Sequence, residues 1–315
     1  MFRRPNIIRD RPELDPLSQI VALLRPSALL WKQSEARGRW AVRFPANRSV
    51  VFTLVASGDC VFQAAGREPE RLTTGDFLLM HAPSAWTLGD SIDTAAIDFR
   101  PAQAGRDAQL RRMGDGTGGP ATRLFGGRFV FDKANEMLLD GLLPAVVRIR
   151  PGEDGAARLR SLIDLIGDEA LSNRPGRSLT LERLMELMFV EAIRHGDNQP
   201  AAQRQGLIAG LSDTKLTPVL RAMHVDVGKP WTVAELAALS AMSRSSFAER
   251  FNRVLGMAPI DYLLRWRMAL AKDRLRHGGE SLAEIATACG YQSASAFSVA
   301  FTRTVGRPPS TYRTS

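Results

Sequence analysis

A chain of 315 residues, 44% of them hydrophobic, is long enough to bury two cores and leaves room for a third small one. Its apolar runs, such as LeuMetPheVal at 187–190, are too short to cross a bilayer, and the MetPheArgArgPro start has no apolar stretch behind it. Neither a membrane span nor a secretory leader is expected, and the expected location is cytoplasmic. The net charge of +9 is unevenly placed: from residue 216 onward 13 Arg and Lys stand against 7 Asp and Glu, which points to a polyanion partner for the last third.

Residues 38–100 read as short strands with glycine turns. TrpAlaValArgPhe (40–44) alternates, SerValValPheThrLeuVal (49–55) is β-branched, and Gly58-Asp59 turns into CysValPheGln (60–63). Gly66 and Gly75-Asp76 punctuate the runs before PheLeuLeuMet (77–80) and AlaAlaIleAspPhe (95–99). This spacing predicts a small barrel or sandwich. Residues 101–122 read as a glycine-rich loop without the strand-to-helix setting of a phosphate loop, and ArgPheValPhe (128–131) adds a strand. Cys60 and Cys289 match no metal or redox spacing and read as small core residues. Phe52, Phe62 and Trp86 are candidates to line an apolar ligand pocket, although barrel interiors are apolar in any case.

From about residue 134 the period becomes helical. Leu159, Leu162, Ile163 and Ile166 form one stripe; Leu181, Leu184, Met185, Met188 and Ile193 form the next. Such stripes suit a core and a dimer face equally well. The polar stretch 196–206, with Pro200, begins a linker drawn over 196–215.

The last third repeats itself. ThrValAlaGluLeuAla (232–237) returns as SerLeuAlaGluIleAla (281–286), and Phe247, Phe251, Arg253, Gly256 and Pro259 return as Phe297, Phe301, Arg303, Gly306 and Pro309. The offset grows from 49 to 50 residues between the blocks, so one residue is added at the intervening turn. Thr232 with Glu235, and Ser281 with Glu284, are capping boxes that start short helices. Leu236, Ala237, Leu239, Ile285 and Ala286 are expected to face inward. The Phe pairs at i, i+4 would bury one side of each following helix and leave the other free for a major groove.

Two helix-turn-helix units are therefore expected, over 233–254 and 282–305. Candidate base readers are Arg244, Ser245 and Glu249 in the first copy, with the smaller set Ser295 and Ser298, beside Ala294 and Val299, in the second. Candidate phosphate contacts are Ser243, Arg250, Arg253, Ser293 and Arg303. The helix over 261–276, with Leu263, Trp266 and Leu270 on one side, would hold the units about 34 Å apart on one face of the duplex.

These residues resemble the AraC/XylS family of transcription regulators. The carriers are MetSerArgSerSerPheAlaGluArgPhe (242–251), Gly256 with Pro259, ArgTrpArgMet (265–268), SerLeuAlaGluIleAla (281–286), GlyTyr (290–291), AlaPheSerValAlaPhe (296–301) and ProProSerThrTyrArg (308–313). AspProLeuSerGlnIleValAlaLeuLeuArgPro (15–26), TrpAlaValArgPhePro (40–45), Gly75-Asp76 and GlyArgPheValPheAsp (127–132) resemble the cupin-like ligand-binding domain of one branch of that family. The resemblance implies an α+β multidomain chain. Residues 15–195 would form a cupin-like β-barrel with a helical dimerisation segment, 196–215 a linker, and 216–315 an all-α DNA-binding domain.

It further implies an effector-responsive activator that binds double-stranded DNA, works with RNA polymerase, forms a homodimer and answers to an unidentified small molecule. Thr53 and Trp86 stand where that branch often has histidine, and Gly126 where it has cysteine. His81 is the one barrel histidine, too few ligands for a cupin metal site. No metal, cofactor or catalytic residue is therefore expected. The alternatives are a cupin-type metalloenzyme and a DNA-binding regulator whose N-terminal domain only dimerises.

Overall fold

The computed structural model describes residues 15–81, 83–99, 110–132, 135, 138–139, 143, 145–153, 155–172, 174–195 and 206–313. The chain divides into two compact units, one of sheets with two long helices, the other of helices.

The sheet unit contains β1 (Ser27–Ala36), β2 (Ala41–Phe44), β3 (Val50–Ser57), β4 (Asp59–Ala64), β5 (Glu70–Thr73), β6 (Phe77–His81), β7 (Trp86–Gly89), β8 (Ile97–Asp98), β9 (Leu110–Met113), β10 (Thr122–Val130) and β11 (Val146–Ile149). Six strands form one sheet in the order β11-β6-β3-β10-β1-β9, and five form a second in the order β5-β4-β7-β2-β8. The expected barrel is not closed: the hydrogen-bonded ladder is split into two sheets that share an apolar interior. Alternate residues of both, including Val51, Val55, Cys60, Phe62, Leu78, Met80, Trp86 and Leu88, form that interior. The 95–99 run shrinks to the two residues of β8, which pair in parallel with β2 and leave Ile97 74% exposed. Conversely, β10 begins at Thr122, inside the stretch expected to be loop.

The Gly75-Asp76 turn has a covalent and an ionic reason. Gly75 sits at φ +92, where a side chain strains the backbone. The buried Asp76 carboxylate accepts from the Thr73 amide at 2.7 Å and from Arg148 Nη2 at 2.9 Å, while Arg148 Nη1 reaches Glu70 at 3.0 Å. A buried carboxylate is tolerated because its lone pairs are met this way.

Helices α2 (Ala156–Leu171) and α3 (Arg177–His195) pack on each other, and α3 lies on β1 and β11. Leu159, Ile163, Ile166, Met185, Met188 and Ile193 are buried, so the two predicted stripes serve the unit's own core.

The helical unit gathers α1 (Pro16–Leu24), residues near Asp132 and Asn135, and α4 (Leu207–Ser212), α5 (Thr217–Val225), α6 (Val233–Leu239), α7 (Arg244–Leu255), α8 (Pro259–His277), α9 (Leu282–Ala288), α10 (Ala294–Val305) and α11 (Pro309–Arg313). Asp15 caps α1 by accepting from the Ser18 amide, with Pro16 at the first helical position. Helix α1 then docks on α5 and α8: Gln19 meets His224 at 3.1 Å and Arg25 meets Asp273 at 2.9 Å. Of the expected linker, 196–205 lie outside the described residues. The remainder is folded, because α4 buries Leu207 and Gly210 against the rest of the unit and packs on α7.

Candidate nucleic-acid interface

The two repeated sequences fold into two copies of one geometry. In the first, Thr232 Oγ1 accepts from the Glu235 amide at 3.2 Å while Glu235 Oε2 accepts from the Thr232 amide at 2.8 Å. In the second, Ser281 and Glu284 repeat the exchange at 3.2 and 2.7 Å. Each box satisfies two amides that a helix start leaves unpaired, and each places a carboxylate where the helix dipole favours it. Backbone hydrogen bonds to the Thr232 amide hold the Glu235 carboxyl below the usual range.

The turns close alike. Met242 N–H donates to the Ala237 carbonyl and Tyr291 N–H to the Ala286 carbonyl. The residue before each donor is left-handed, Ala241 at φ 51 and Gly290 at φ +79. Gln292 is the added residue that shifts the offset to 50. Ser243 and Ser293 then cap α7 and α10 by accepting from the Ser246 and Ala296 amides. Both helices end at left-handed glycines, Gly256 and Gly306.

Burial orients the helices. Phe247 and Phe251 are fully buried with ring centroids 5.7 Å apart, and Phe297 and Phe301 match them at 5.5 Å. Fully burying such side chains contributes about 1.5–3 kcal/mol each, enough to choose which face of a short helix turns inward. The opposite face carries exposed Arg244, Ser245, Glu249 and Arg253 on α7, and exposed Ser295, Val299 and Arg303 on α10. Val299 is 71% exposed.

The remaining predicted site residues are held differently. Ser298 is half-buried and its hydroxyl donates to the Ala294 carbonyl at 2.7 Å, so its hydrogen is engaged within the helix. Arg250 forks onto Asp213, Nε at 2.9 Å and Nη2 at 2.8 Å, tying α7 to the turn after α4. Leu239, expected inside, is 44% exposed because α6 ends there and turns away.

Two features escaped sequence reading. Arg267 of α8 donates to the Val227 carbonyl at 2.8 Å and the Lys229 carbonyl at 2.7 Å. His224 is buried between Gln19, Tyr262 and Trp266. Both depend on partners 38 or more residues away, which leave no local pattern.

In the sheet unit the three pocket candidates are all buried; the structure brings Phe62 to Trp86, with ring centroids 6.2 Å apart, but not Phe52 to either. Phe62 and Trp86 lie in the interior between the sheets, where Trp86 stacks on Phe44 at 3.9 Å. Phe52 meets Phe77 and Phe129 instead, and Phe129 continues to Phe189 of α3. Alternation along β3 separates them, since successive residues face opposite sides. Thr53 and Gly126 are register partners on β3 and β10, so neither supplies an imidazole or a thiolate where they face each other. Cys60 is buried, and burial pushes its thiol up to about 12.

Among the described residues no helix is long and apolar enough to cross a membrane. The Cupin family matches residues 15–196, and a Helix-turn-helix domain family matches residues 236–315. A putative AraC-like transcription regulator of Streptomyces lividans is 39% identical over 304 residues, covering 95% of this chain and 98% of that one. The HTH-type transcriptional regulator AlkR of Acinetobacter baylyi is 27% identical over 95% of this chain and 99% of its own length. The crystal structure of the DNA-binding domain of AdpA in complex with a target DNA is 32% identical over 32% of this chain and 90% of that one, with a TM-score of 0.31. The chain belongs to the AraC-like transcription regulators, DNA-binding proteins in which a cupin domain is joined to a helix-turn-helix domain.

Proposed function

We propose that this regulator reads a two-part DNA element by placing α7 and α10 in successive major grooves. The observation that carries the reading is the duplicated geometry: two helices of 12 residues, each capped by serine, each anchored by a buried Phe pair, each turning its other face outward. Arg244, Ser245 and Glu249 are assigned to base edges in the first half-site. Ser295 and the Val299 methyls are assigned to the second, where they suit a thymine methyl better than a hydrogen-bonding code. Arg253 and Arg303, in the last turns, are assigned to phosphates, with the helix starts capped by Ser243 and Ser293. Arg250 and Ser298 act through the fold, since Asp213 and the Ala294 carbonyl already engage them.

The test is selection of duplexes from a random-sequence library, followed by two variants. Glu249→Ala should relax preference at one base position. Arg253→Ala should weaken all sequences alike and lower the salt slope by about 1. Uniform loss from both variants would show that the base reader is wrongly assigned.

The cupin-matched region is assigned to sensing a small-molecule effector and to forming a homodimer, with activation through RNA polymerase as the output. Support for sensing comes from α1, which belongs to the cupin match yet docks on α5 and α8 of the helical unit, a physical route by which its state reaches the DNA-binding helices. Support for pairing comes from Leu165, Leu179 and Leu187, each more than half exposed on α2 and α3. Effector-dependent operator affinity tests the first assignment. Sedimentation of a Leu165→Glu, Leu187→Glu double variant tests the second. Of the alternatives, the metalloenzyme is disfavoured by Thr53 and Gly126, and stoichiometric metal in purified protein would revive it.

A further inference from the structure

We propose that Arg267, Gly228 and Gly290 form a lock that fixes the two helix-turn-helix units at one separation and rotation. The lock thereby sets the half-site spacing the protein accepts on DNA. The inference rests on the reading that both α7 and α10 enter grooves.

Helix α8 is the covalent joint between the units, and a long helix alone is free to curve gently along its length. The lock adds a second joint beside it. Arg267 projects from α8 and donates through Nε to the Val227 carbonyl and through Nη2 to the Lys229 carbonyl. Those carbonyls belong to the loop that leads into α6, the start of the first unit. The α9–α10 turn of the second unit lies against the same guanidinium. A Cβ on Gly290 would run into the Gly228 carbonyl oxygen and come within 2.8 Å of Arg267 Nη2. Cys289 Sγ contacts the Arg267 carbonyl at 3.6 Å. The Arg267 side chain, the Gly228 carbonyl and the missing side chain of Gly290 thus hold the entry loop of the first unit against the turn of the second.

The first copy shows why Gly290 is glycine. Its counterpart, Ala241, adopts the same left-handed conformation with a methyl group attached. The turn alone therefore accepts alanine; the approach of Gly228 does not. Gly228 differs, since a Cβ there meets its nearest atom, the Ala288 carbonyl oxygen, at an ordinary 3.5 Å. The lock is thus sensitive at Gly290 and tolerant at Gly228. Arg267 is not replaceable by a point charge either, because two carbonyls in different directions need two donors of one planar group.

The experiment uses the full chain and the two-part duplex it selects from a random-sequence library. Fluorescence anisotropy is read on that duplex, on duplexes with one to three base pairs added or removed between half-sites, and on the first half-site alone. Wild type should lose roughly a hundredfold in affinity at wrong spacings, because one linked module can no longer engage. Arg267→Met and Gly290→Ala should bind the single half-site within about twofold of wild type, yet discriminate spacings by roughly threefold only. Arg267→Lys should fall between, and Gly228→Ala should behave as wild type. Full spacing discrimination in Arg267→Met and Gly290→Ala overturns the lock. So does loss of single half-site binding in Arg267→Met, Arg267→Lys and Gly290→Ala together, since these residues would then support the fold of the units rather than their placement. A wild-type selection that returns one half-site overturns the two-groove reading instead, and the lock with it.

Discussion

Acid should loosen the helical unit through one histidine. His224 is 5% exposed; its Nδ1–H donates to Gln19 Oε1 at 3.1 Å, its Nε2 accepts from the Tyr262 hydroxyl at 2.7 Å, and its ring stacks on Trp266 at 4.3 Å. That arrangement uses the neutral imidazole, one nitrogen donating and the other accepting. Burial lowers its pKa from 6.5 to about 3, against a weaker opposing pull from the Asp15 charge. The folded pKa is the depressed one, so the stability it confers is complete above pH 6.5. As pH falls below 6.5 the unfolded chain takes up the proton and the folded chain does not. At pH 5 the loss is about 2 kcal/mol, and it approaches about 5 kcal/mol below pH 3.

Urea unfolding followed by circular dichroism at several pH values from 7.5 to 5 checks this. His224→Gln retains a donor and an acceptor but does not titrate. At pH 7.5 it should be less stable by about 1 kcal/mol through the lost ring stack, and it should lack the wild-type decline between pH 6.5 and 5. Carboxylates shared by both proteins cancel in the comparison. Parallel pH profiles for the two proteins would refute the argument that this histidine is held neutral by burial.

Other outcomes follow from local geometry. Thr232→Ala and Ser281→Ala should each cost about 1 kcal/mol in chemical denaturation, whereas Thr232→Ser should change little. Ala241→Gly should stabilise by roughly 0.5–1 kcal/mol, because glycine relieves the left-handed strain at φ 51; a loss of stability would place that strain elsewhere. Burial pushes the Cys60 thiol up to about 12 and the Cys289 thiol up to about 11, so neither should react with a thiol reagent at pH 8 faster than the chain unfolds. Quick labelling of the native protein would contradict that.

The C-terminal architecture was legible in the sequence because its determinants are close neighbours. A capping box spans three residues and a Phe pair spans four, so helix starts, turns and buried faces all appear in a short window. The duplication then showed each pattern twice, which is why α6, α7, α9 and α10 fall where the repeat placed them. Reading weakened where a side chain had two acceptable partners. Ser298 could face DNA or its own helix, and the carbonyl four residues back holds it. Arg250 could face phosphate or carboxylate, and Asp213 lies 37 positions away. The sheet unit was less legible still. Its strands showed in alternation and glycine turns, but whether they close into a barrel depends on pairings between distant strands, such as β3 with β10.

Local sequence thus specified the two recognition units, their caps and the residues on their outward faces, since backbone hydrogen bonding and period-3.6 burial act over a few residues. Long-range packing specified the rest. It seated α1 against His224, brought Phe62 to Trp86, and brought Gly228 to Gly290 beside Arg267. Those contacts include Arg267 with Val227, 40 residues apart, and Gln19 with His224, 205 residues apart, and closing such long stretches of chain costs entropy that no local pattern records.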